Sequence, residues 1–269
     1  MSRDYEELRR APSKRGMVNE RLARLRGLRQ LSPRESACYS PAMTDVLPHR
    51  RLHGRSKGKA LRRHQAELVD TLLPRLSLDL ASPFDARSLF PAAVKELRLE
   101  IGFGGGEHLI EAATREPDVG FIGCEPFVNG VAKLLAAMER AGARNISIHR
   151  GDAALVLDWL PEASLSRVYL FYPDPWPKRR QRKRRFVNLE TLDLLARAMR
   201  SGGELRFATD IDDYAAWTLA RVRAHPAFAW RATCARDWTR PWEGWTQTKY
   251  ERKAMAEGRK AVYLTFLRH

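Results

Sequence analysis

From residue 97 onward, short apolar runs alternate with segments whose apolar residues recur every three or four positions. The short runs predict β-strands and the longer segments predict helices, because strands and helices bury side chains with periods of 2 and 3.6 residues. Strict alternation of this kind is typical of a parallel sheet covered by helices on both faces. The five predicted strand–helix units begin at LRLEIGF, VGFIGCEP, NISIHRGDA, SRVYLFYPDP and GELRFATD.

Two further strands are predicted near the end of the chain, at FAWRATCARDW and AVYLTFLRH. The second shows the alternation of a half-buried strand, and we expect the two to pair antiparallel at one edge of the sheet. The predicted fold is therefore α/β, a seven-stranded, mostly parallel sheet with an antiparallel closing strand and helices on both faces. This arrangement resembles the Rossmann-like fold of class I methyltransferases.

The first part of the chain has a different composition. Among residues 1–60, fifteen Lys or Arg stand against six Asp or Glu, and few large apolar residues occur at core spacing. We predict that residues 1–50 form a basic, largely disordered arm and that residues 51–269 form the folded domain. A helix is predicted at HQAELVDTLLPRL, with Pro74 near its end.

The chain as a whole is strongly basic, with 48 Lys and Arg, 32 Asp and Glu and a formal net charge of +16. Such an excess is typical of proteins that bind nucleic acids. No apolar run is long enough to span a membrane, and the first residues lack the apolar core of a signal peptide. Three widely separated cysteines exclude a disulfide framework and a CxxC metal site. We expect a cytoplasmic protein without a metal site and without a membrane partner.

The segment YPDPWPKRRQRKRR follows the fourth predicted strand. Three prolines within five residues exclude a helix and a paired strand there, so we expect Asp174 and Trp176 on a stiff loop. Seven of the eight residues from Lys178 to Arg185 are Lys or Arg. An acid on a loop at the carboxyl end of a strand, beside a polyanion-binding surface, favours chemistry on nucleic acid. A solvated basic helix after a proline-rich turn is the plainer alternative.

A glycine-rich turn, IGFGGGEHL, follows the first predicted strand. Its glycines, among them Gly102 and Gly104, allow the backbone to approach a cofactor closely. The dinucleotide fingerprint GxGxxG fails at its last position, which is Glu107, and an acid at a helix N-terminus repels a pyrophosphate. A cofactor without phosphate, such as S-adenosylmethionine, meets no such repulsion. An ordinary tight turn between strand and helix is the alternative.

Acidic residues stand at the ends of the first four predicted strands. Glu125 lies 23 residues after Gly102, close to the spacing at which an acid accepts hydrogen bonds from ribose hydroxyls. Asp152 has the position to accept from an adenine amino group. Each acid can instead cap a helix, but acids at four strand ends fit one cofactor crevice better than four independent caps. These acids are Glu100, Glu125, Asp152 and Asp174.

Residues 52–267 resemble the bacterial tRNA (guanine-N7-)-methyltransferases. The resemblance is carried by LEIGFGGGEHL, GCEPF, GDA, YPDPWPKRR, ATD and TKYE. It implies an enzyme that transfers a methyl group from S-adenosylmethionine to N7 of a guanine in the variable loop of tRNA (position 46), forming 7-methylguanosine. For the oligomeric state we favour a monomer.

The resemblance also implies roles for individual residues. Asp174 is the expected catalytic residue, as an orienting and charge-compensating acid. Expected contacts to S-adenosylmethionine come from Glu100, Gly102, Gly104, Glu125, Asp152, Ala153 and Asp174. Expected contacts to the substrate come from Lys178, Asp210, Thr248, Lys249, Tyr250 and Glu251. Expected contacts to the RNA come from Arg180, Gln181, Arg182, Lys183, Arg184 and Arg185.

Two alternatives remain open at the level of sequence. One is a non-catalytic RNA-binding protein on a methyltransferase fold, against which the four strand-end acids argue. The other is a methyltransferase acting on protein or small molecules, which leaves the basic segment unexplained. Stacking on RNA and packing in the core both remain open for the tryptophans near the motifs, which are Trp176, Trp238, Trp242 and Trp245.

Overall fold

The computed structural model describes residue 56 and residues 58–269; the predicted basic arm, residues 1–50, lies outside the described residues. Seven strands form one sheet. They are β1 (Glu96–Ile101), β2 (Val119–Cys124), β3 (Ile146–His149), β4 (Leu165–Phe171), β5 (Met199–Thr209), β6 (Phe228–Trp230) and β7 (Val262–Arg268). Their order is β3-β2-β1-β4-β5-β7-β6, with β7 antiparallel to both of its neighbours. The predicted mostly parallel, seven-stranded sheet is confirmed.

Helices connect the strands. They are α1 (Arg63–Thr71), α2 (Leu73–Leu76), α3 (Ala86–Leu89), α4 (Glu107–Arg115), α5 (Val128–Ala141), α6 (Ala153–Trp159), α7 (Leu189–Ala198), α8 (Asp212–Ala224), α9 (Arg236–Thr239) and α10 (Lys249–Ala256). A 3-10 helix spans Arg179–Arg184. Within the described part of the chain, no helix has the length and apolar character needed to cross a membrane.

The core lies in the middle of the sheet. All six residues of β2 are buried, and Leu99, Phe121 and Ile122 have no exposed surface. This is the burial expected of parallel strands with helices on both faces, and it explains why these runs are apolar without interruption.

Three local predictions were wrong. Pro74 does not end the first helix, because α1 already ends at Thr71 and Pro74 lies in the first turn of α2, where its missing N–H costs nothing. The segment RFVNLETLDLLARAMRSGG predicts a helix that ends at Gly202, but α7 ends at Ala198 and Gly202 lies inside β5 with φ +74°, where the pairing of β5 with β4 shifts register. The strand β6 is three residues long, because α9 takes up part of the segment predicted as strand.

The strand order reverses between β1 and β4. From β1 the chain proceeds outward through β2 to β3, then returns to place β4 on the other side of β1. The loops that leave the carboxyl ends of β1 and β4 therefore diverge, and a crevice opens between them.

Candidate active site

A cleft of about 580 Å³ lies at this crevice. Its walls include the glycine turn after β1, Glu125 after β2, Asp152 after β3 and Asp174 after β4. The volume is in the range of sites for small molecules and cofactors. The fold thus brings acids that are up to 49 positions apart in the sequence to one cavity.

The glycine turn has a backbone that side chains disfavour. Gly102 and Gly104 have φ angles of +72° and +59°, in the left-handed region that glycine adopts without a steric penalty. The turn also lies close to the first turn of α5, where a Cβ atom at Gly130 would stand 2.2 Å from the carbonyl oxygen of Gly104. Sequence reasoning missed Gly130. Its signal is a glycine inside a helix, where alanine is otherwise favoured.

Glu125 is buried and joins two parts of the cleft. Its Oε2 accepts a hydrogen bond from the N–H of Gly104 at 2.7 Å, and its Oε1 accepts one from the N–H of Phe127 at 2.9 Å. Burial raises the pKa of Glu125, and the nearby carboxylates of Asp174 and Glu100 raise it further against these two bonds. A carboxylate offers about four acceptor positions, so acceptor capacity remains for ribose hydroxyls.

Asp152 is the N-cap of α6. Its Oδ1 accepts a hydrogen bond from the N–H of Ala154 at 3.0 Å, while the side chain also lines the cleft. Helix capping and a role at the cofactor site are therefore compatible in this residue. Ala153, the first residue of α6, is buried.

Glu100 is buried beside the cleft and does not line it. Its Oε2 lies 2.7 Å from Nδ1 of His108 on α4, whose ring packs edge-on against Tyr169 and Phe171. A contact between Glu100 and the cofactor stays a prediction.

Asp174 and Trp176 lie on the loop between β4 and the 3-10 helix, which is free of regular structure as its prolines predict. Tyr172 and Trp176 have φ angles of +49° and +43°, a strained conformation for residues with large side chains. Asp174 is exposed at the cleft mouth, yet burial of its carboxyl against the cleft wall raises its pKa. The ring of Trp176 lines the cleft, with the guanidinium of Arg184 at 4.9 Å from its centroid.

The basic segment presents unequal side chains to solvent. Arg180 and Lys183 are exposed, whereas Gln181, Arg182 and Arg184 are half-buried. Arg185 was expected to contact RNA, but it is fully buried, with 0% of its surface exposed. A side chain without exposed surface cannot reach a phosphate, so this expectation does not fit the structure.

The side chains of the TKYE motif also differ in their exposure to solvent. Thr248 caps α10, and its neighbour Lys249 is exposed. Glu251 is buried, where it accepts hydrogen bonds from Nε1 of Trp245 at 2.6 Å and from the hydroxyl of Tyr263. Among the motif's side chains, that of Tyr250 lines the cleft, next to the glycine turn.

Two further expected substrate contacts lie outside the cleft wall. Asp210 follows β5, and its carboxylate pairs with Nε of Arg259 at 2.5 Å. Lys178 is exposed, directly before the 3-10 helix. Both remain predicted contacts to the substrate.

The structure decides between packing and exposure for the other tryptophans. Trp238 is buried, with 1% of its surface exposed. Trp242 and Trp245 pack against Phe171 and Tyr263 in one aromatic cluster, and Nε1 of Trp242 donates to Oγ1 of Thr265 at 2.8 Å. Unlike Trp176 at the cleft, these three rings are part of the packing.

The chain is similar to a known protein family and to named proteins. A sequence profile of the family described as "Putative methyltransferase" matches residues 95–264, which include all the residues that line the cleft. A protein from Rhodopseudomonas palustris (strain BisA53), named tRNA (guanine-N(7)-)-methyltransferase, is 56% identical over 223 residues, covering 82% of this chain and 89% of the relative. The chain belongs to the tRNA (guanine-N7)-methyltransferase family.

Other members of this family show the same extent of similarity. Proteins of the same name from Chelativorans sp. (strain BNC1) and Brucella melitensis biotype 1 are 57% and 55% identical. These alignments cover 80% of this chain and 94% and 93% of the relatives. The predicted family membership is confirmed.

Proposed function

We propose that the protein transfers a methyl group from S-adenosylmethionine to N7 of a guanine in tRNA, forming 7-methylguanosine. The observation that carries the proposal is 56% identity, over 89% of its length, to a relative named for this reaction. We also propose that the target guanine lies in the variable loop, at position 46, as the sequence resemblance implies.

The residues of the cleft fit S-adenosylmethionine. The cofactor supplies a methyl group on a positively charged sulfur and carries no phosphate. The cleft offers a backbone with positive φ at Gly102 and Gly104 and one acid after each of the strands β2, β3 and β4, whose negative charge suits a ligand with positive groups. Glu107 lies in the first turn of α4, where it would oppose a pyrophosphate. We assign the ribose hydroxyls to Glu125 and the adenine end to Asp152.

Asp174 has a position suited to electrostatic catalysis. Guanine N7 carries a lone pair and no proton, so one N–C bond forms as one S–C bond breaks and no general base is required. Positioning and charge stabilisation then supply the acceleration. During transfer, positive charge moves onto the guanine, and a carboxylate at the cleft mouth favours it there. Trp176, beside Asp174, offers a ring on which the base can stack.

The surface next to the cleft suits the phosphate backbone of tRNA. Arg179, Arg180 and Lys183 are exposed on the 3-10 helix that follows the loop of Asp174. Phosphate contacts position a nucleic acid without reading its sequence. These side chains are thus placed to orient tRNA while the guanine enters the cleft.

Unmodified tRNA and S-adenosylmethionine with a labelled methyl group provide the test. After digestion to nucleosides, mass spectrometry should find the label in 7-methylguanosine. Cleavage of the RNA chain at the methylated guanine should then locate that guanine in the variable loop. Label in another nucleoside, in protein or in a small molecule would contradict the assigned substrate. Binding of tRNA without any transfer would indicate a non-catalytic RNA-binding protein.

A further inference from the structure

Arg185 is the one member of the basic segment, Lys178–Arg185, that is fully buried. Burial of a guanidinium removes its hydration and is tolerated only when the charge is paired and its donors are satisfied. The contacts of Arg185 therefore show what the burial achieves.

The guanidinium of Arg185 bridges the catalytic loop and helix α8. Its Nε donates to the carbonyl oxygen of Pro175 at 2.8 Å. One terminal nitrogen donates to the carbonyl oxygen of Asp213 at 3.4 Å, and the other donates to the carboxylate of Asp213. Pro175 is the residue directly after Asp174, so this bridge ends beside the carboxylate assigned to catalysis.

Aromatic rings of α8 complete the pocket around Arg185. Its guanidinium carbon lies 4.8 Å from the ring centroid of Tyr214 and 5.0 Å from that of Trp217. A planar guanidinium can stack on these rings and still donate its hydrogen bonds in a fixed plane, whereas a lysine ammonium is a compact charge without a flat face. The same two residues bind the backbone that follows, since the hydroxyl of Tyr214 accepts from the N–H of Phe186 and Nε1 of Trp217 donates to the carbonyl of Val187.

The loop that contains Asp174 needs such support. From Pro173 to Pro177 it has no regular secondary structure, and Tyr172 and Trp176 on either side of Asp174 have strained backbone conformations. Strained residues keep their conformation only when the surrounding structure fixes them. The bond from Arg185 to Pro175 connects this loop to a helix that packs in the core.

We propose that Arg185 is a positioning residue, which fixes the carboxylate of Asp174 at the cleft mouth by tying Pro175 to α8, and that it does not bind RNA. The inference rests on the proposed function, in which Asp174 is the catalytic acid. The inference gives Arg185 a role different from that of the solvent-exposed arginines in the same basic segment.

Arg185→Met tests this role, because methionine fills part of the pocket but cannot bind Pro175 or Asp213. We expect the turnover number to fall at least about tenfold at saturating tRNA, since a displacement of about 1 Å can cost on the order of a hundredfold. The Kd for tRNA and its salt dependence should match those of the wild type. Arg185→Lys should restore part of the turnover, because lysine keeps the positive charge beside Asp213 but lacks the fixed, planar set of donors of arginine.

Two control variants each remove one positive charge, as Arg185→Met does. Arg180→Met should raise the KM for tRNA and flatten the salt dependence of binding. Arg223→Met, on the exposed last turn of α8, should change neither turnover nor affinity. The proposal is overturned if Arg185→Met behaves like Arg180→Met, with weaker tRNA binding, a flatter salt dependence and normal turnover at saturation.

A readout without substrates keeps the inference separate from the proposed function. Hydrogen exchange of the Gln181, Arg185 and Phe186 amides, each of which donates a hydrogen bond in the wild type, should accelerate in Arg185→Met. Amides of β1 and α5 should not change. If Arg185→Met does not fold, the same amides are measured in Asp213→Asn, which keeps the shape but removes the charge that Arg185 and Arg182 share, with Arg182→Met, which removes only the Arg182 pair, as the control.

Failure of the proposed Arg185 bridge and failure of the proposed function therefore give different results. Accelerated exchange in a protein whose wild type forms no 7-methylguanosine supports the bridge and contradicts the assigned reaction. Unchanged exchange and unchanged turnover in the variants contradict the bridge, whatever the reaction.

Discussion

Asp174 and Glu125 are acids of one cleft with different surroundings. Asp174 is exposed at the mouth, and burial of its carboxyl is the sole cause that raises its pKa. Glu125 is buried deeper and accepts two backbone hydrogen bonds, which stabilise its ionised form against a larger burial effect. The first is therefore suited to act on charge that appears at the mouth, and the second to bind a fixed part of the cofactor.

Replacement of Asp174 by asparagine keeps the shape and removes the charge. We expect the turnover number to fall about a hundredfold or more, in line with the loss of one electrostatic contact in a transition state. The melting temperature should stay equal or rise, because the raised pKa means that the folded state disfavours the carboxylate. Steady-state kinetics and thermal unfolding measure both. Near-normal methylation by Asp174→Asn would refute the catalytic role.

The raised pKa of Glu125 predicts a pH dependence of cofactor binding. Each carboxylate oxygen of Glu125 accepts a hydrogen bond from a backbone N–H, so a proton bound to either oxygen would oppose that N–H. Affinity for S-adenosylmethionine should therefore fall as pH decreases through the pKa of Glu125, which lies above the ordinary value of about 4.3. The effect of pH on the stability of the fold through Glu125 is opposite to its effect on cofactor binding. Since the folded state binds the proton more tightly, this group destabilises the fold as pH rises through the same window.

Titration calorimetry at a series of pH values measures this effect. Glu125→Gln should bind the cofactor weakly and without the acidic transition. If the affinity for S-adenosylmethionine stays constant down to the ordinary pKa range of glutamate, the role of Glu125 is purely structural, as the link between Gly104 and Phe127.

At the scale of elements, helices determine where the loops of the cleft lie. The first turn of α5 lies against the glycine turn through Gly130, the N-terminus of α6 binds Asp152, and α8 binds the loop of Asp174 through Arg185. Helix α10, fixed by the buried Glu251, carries Tyr250 to the cleft. The site is therefore a set of loops whose positions depend on packed helices.

Gly130→Ala tests one of these contacts. In an ordinary helix, glycine to alanine stabilises by about 0.5–1 kcal/mol. Here the new Cβ would meet a backbone oxygen at 2.2 Å, and overpacking of this kind costs about 1–3 kcal/mol. The clash outweighs the helix preference, so we expect a lower melting temperature and weaker binding of S-adenosylmethionine. Lys133→Ala, on the exposed face of α5, should leave both unchanged. Stabilisation with unchanged affinity would contradict the close approach.

At the scale of the molecule, the net charge of +16 serves the polyanionic substrate. The exposed part of the basic segment lies beside the cleft, so these side chains can both attract and orient tRNA there. The predicted basic arm, residues 1–50, adds positive charge to the chain.

Salt dependence separates these side chains. Arg180→Ala and Lys183→Ala should each weaken tRNA binding and flatten the slope of log affinity against log salt by about 0.7 to 0.9, because each phosphate contact releases counterions. Affinity for S-adenosylmethionine should not change. Filter binding between about 50 and 200 mM salt measures the slopes. Loss of affinity with an unaltered slope would mean that the substitutions act through folding.

Local sequence determined the fold class and most of the cleft. Apolar periodicity gave the order of strands and helices, glycines marked the turn after β1, and prolines marked the loop of Asp174, because each of these acts on the backbone within a few residues. Acids at strand ends were predictable for a related reason: the carboxyl ends of parallel strands meet at one edge of a sheet.

Tertiary structure alone decided which members of a motif face the substrate. Arg180 and Arg185 are the same residue type in one basic run, yet one is exposed and the other is buried between Pro175 and α8. Glu251 is likewise buried by partners on other elements. Burial and pairing depend on residues such as Asp213, 28 positions beyond Arg185, which approach only when the chain is folded.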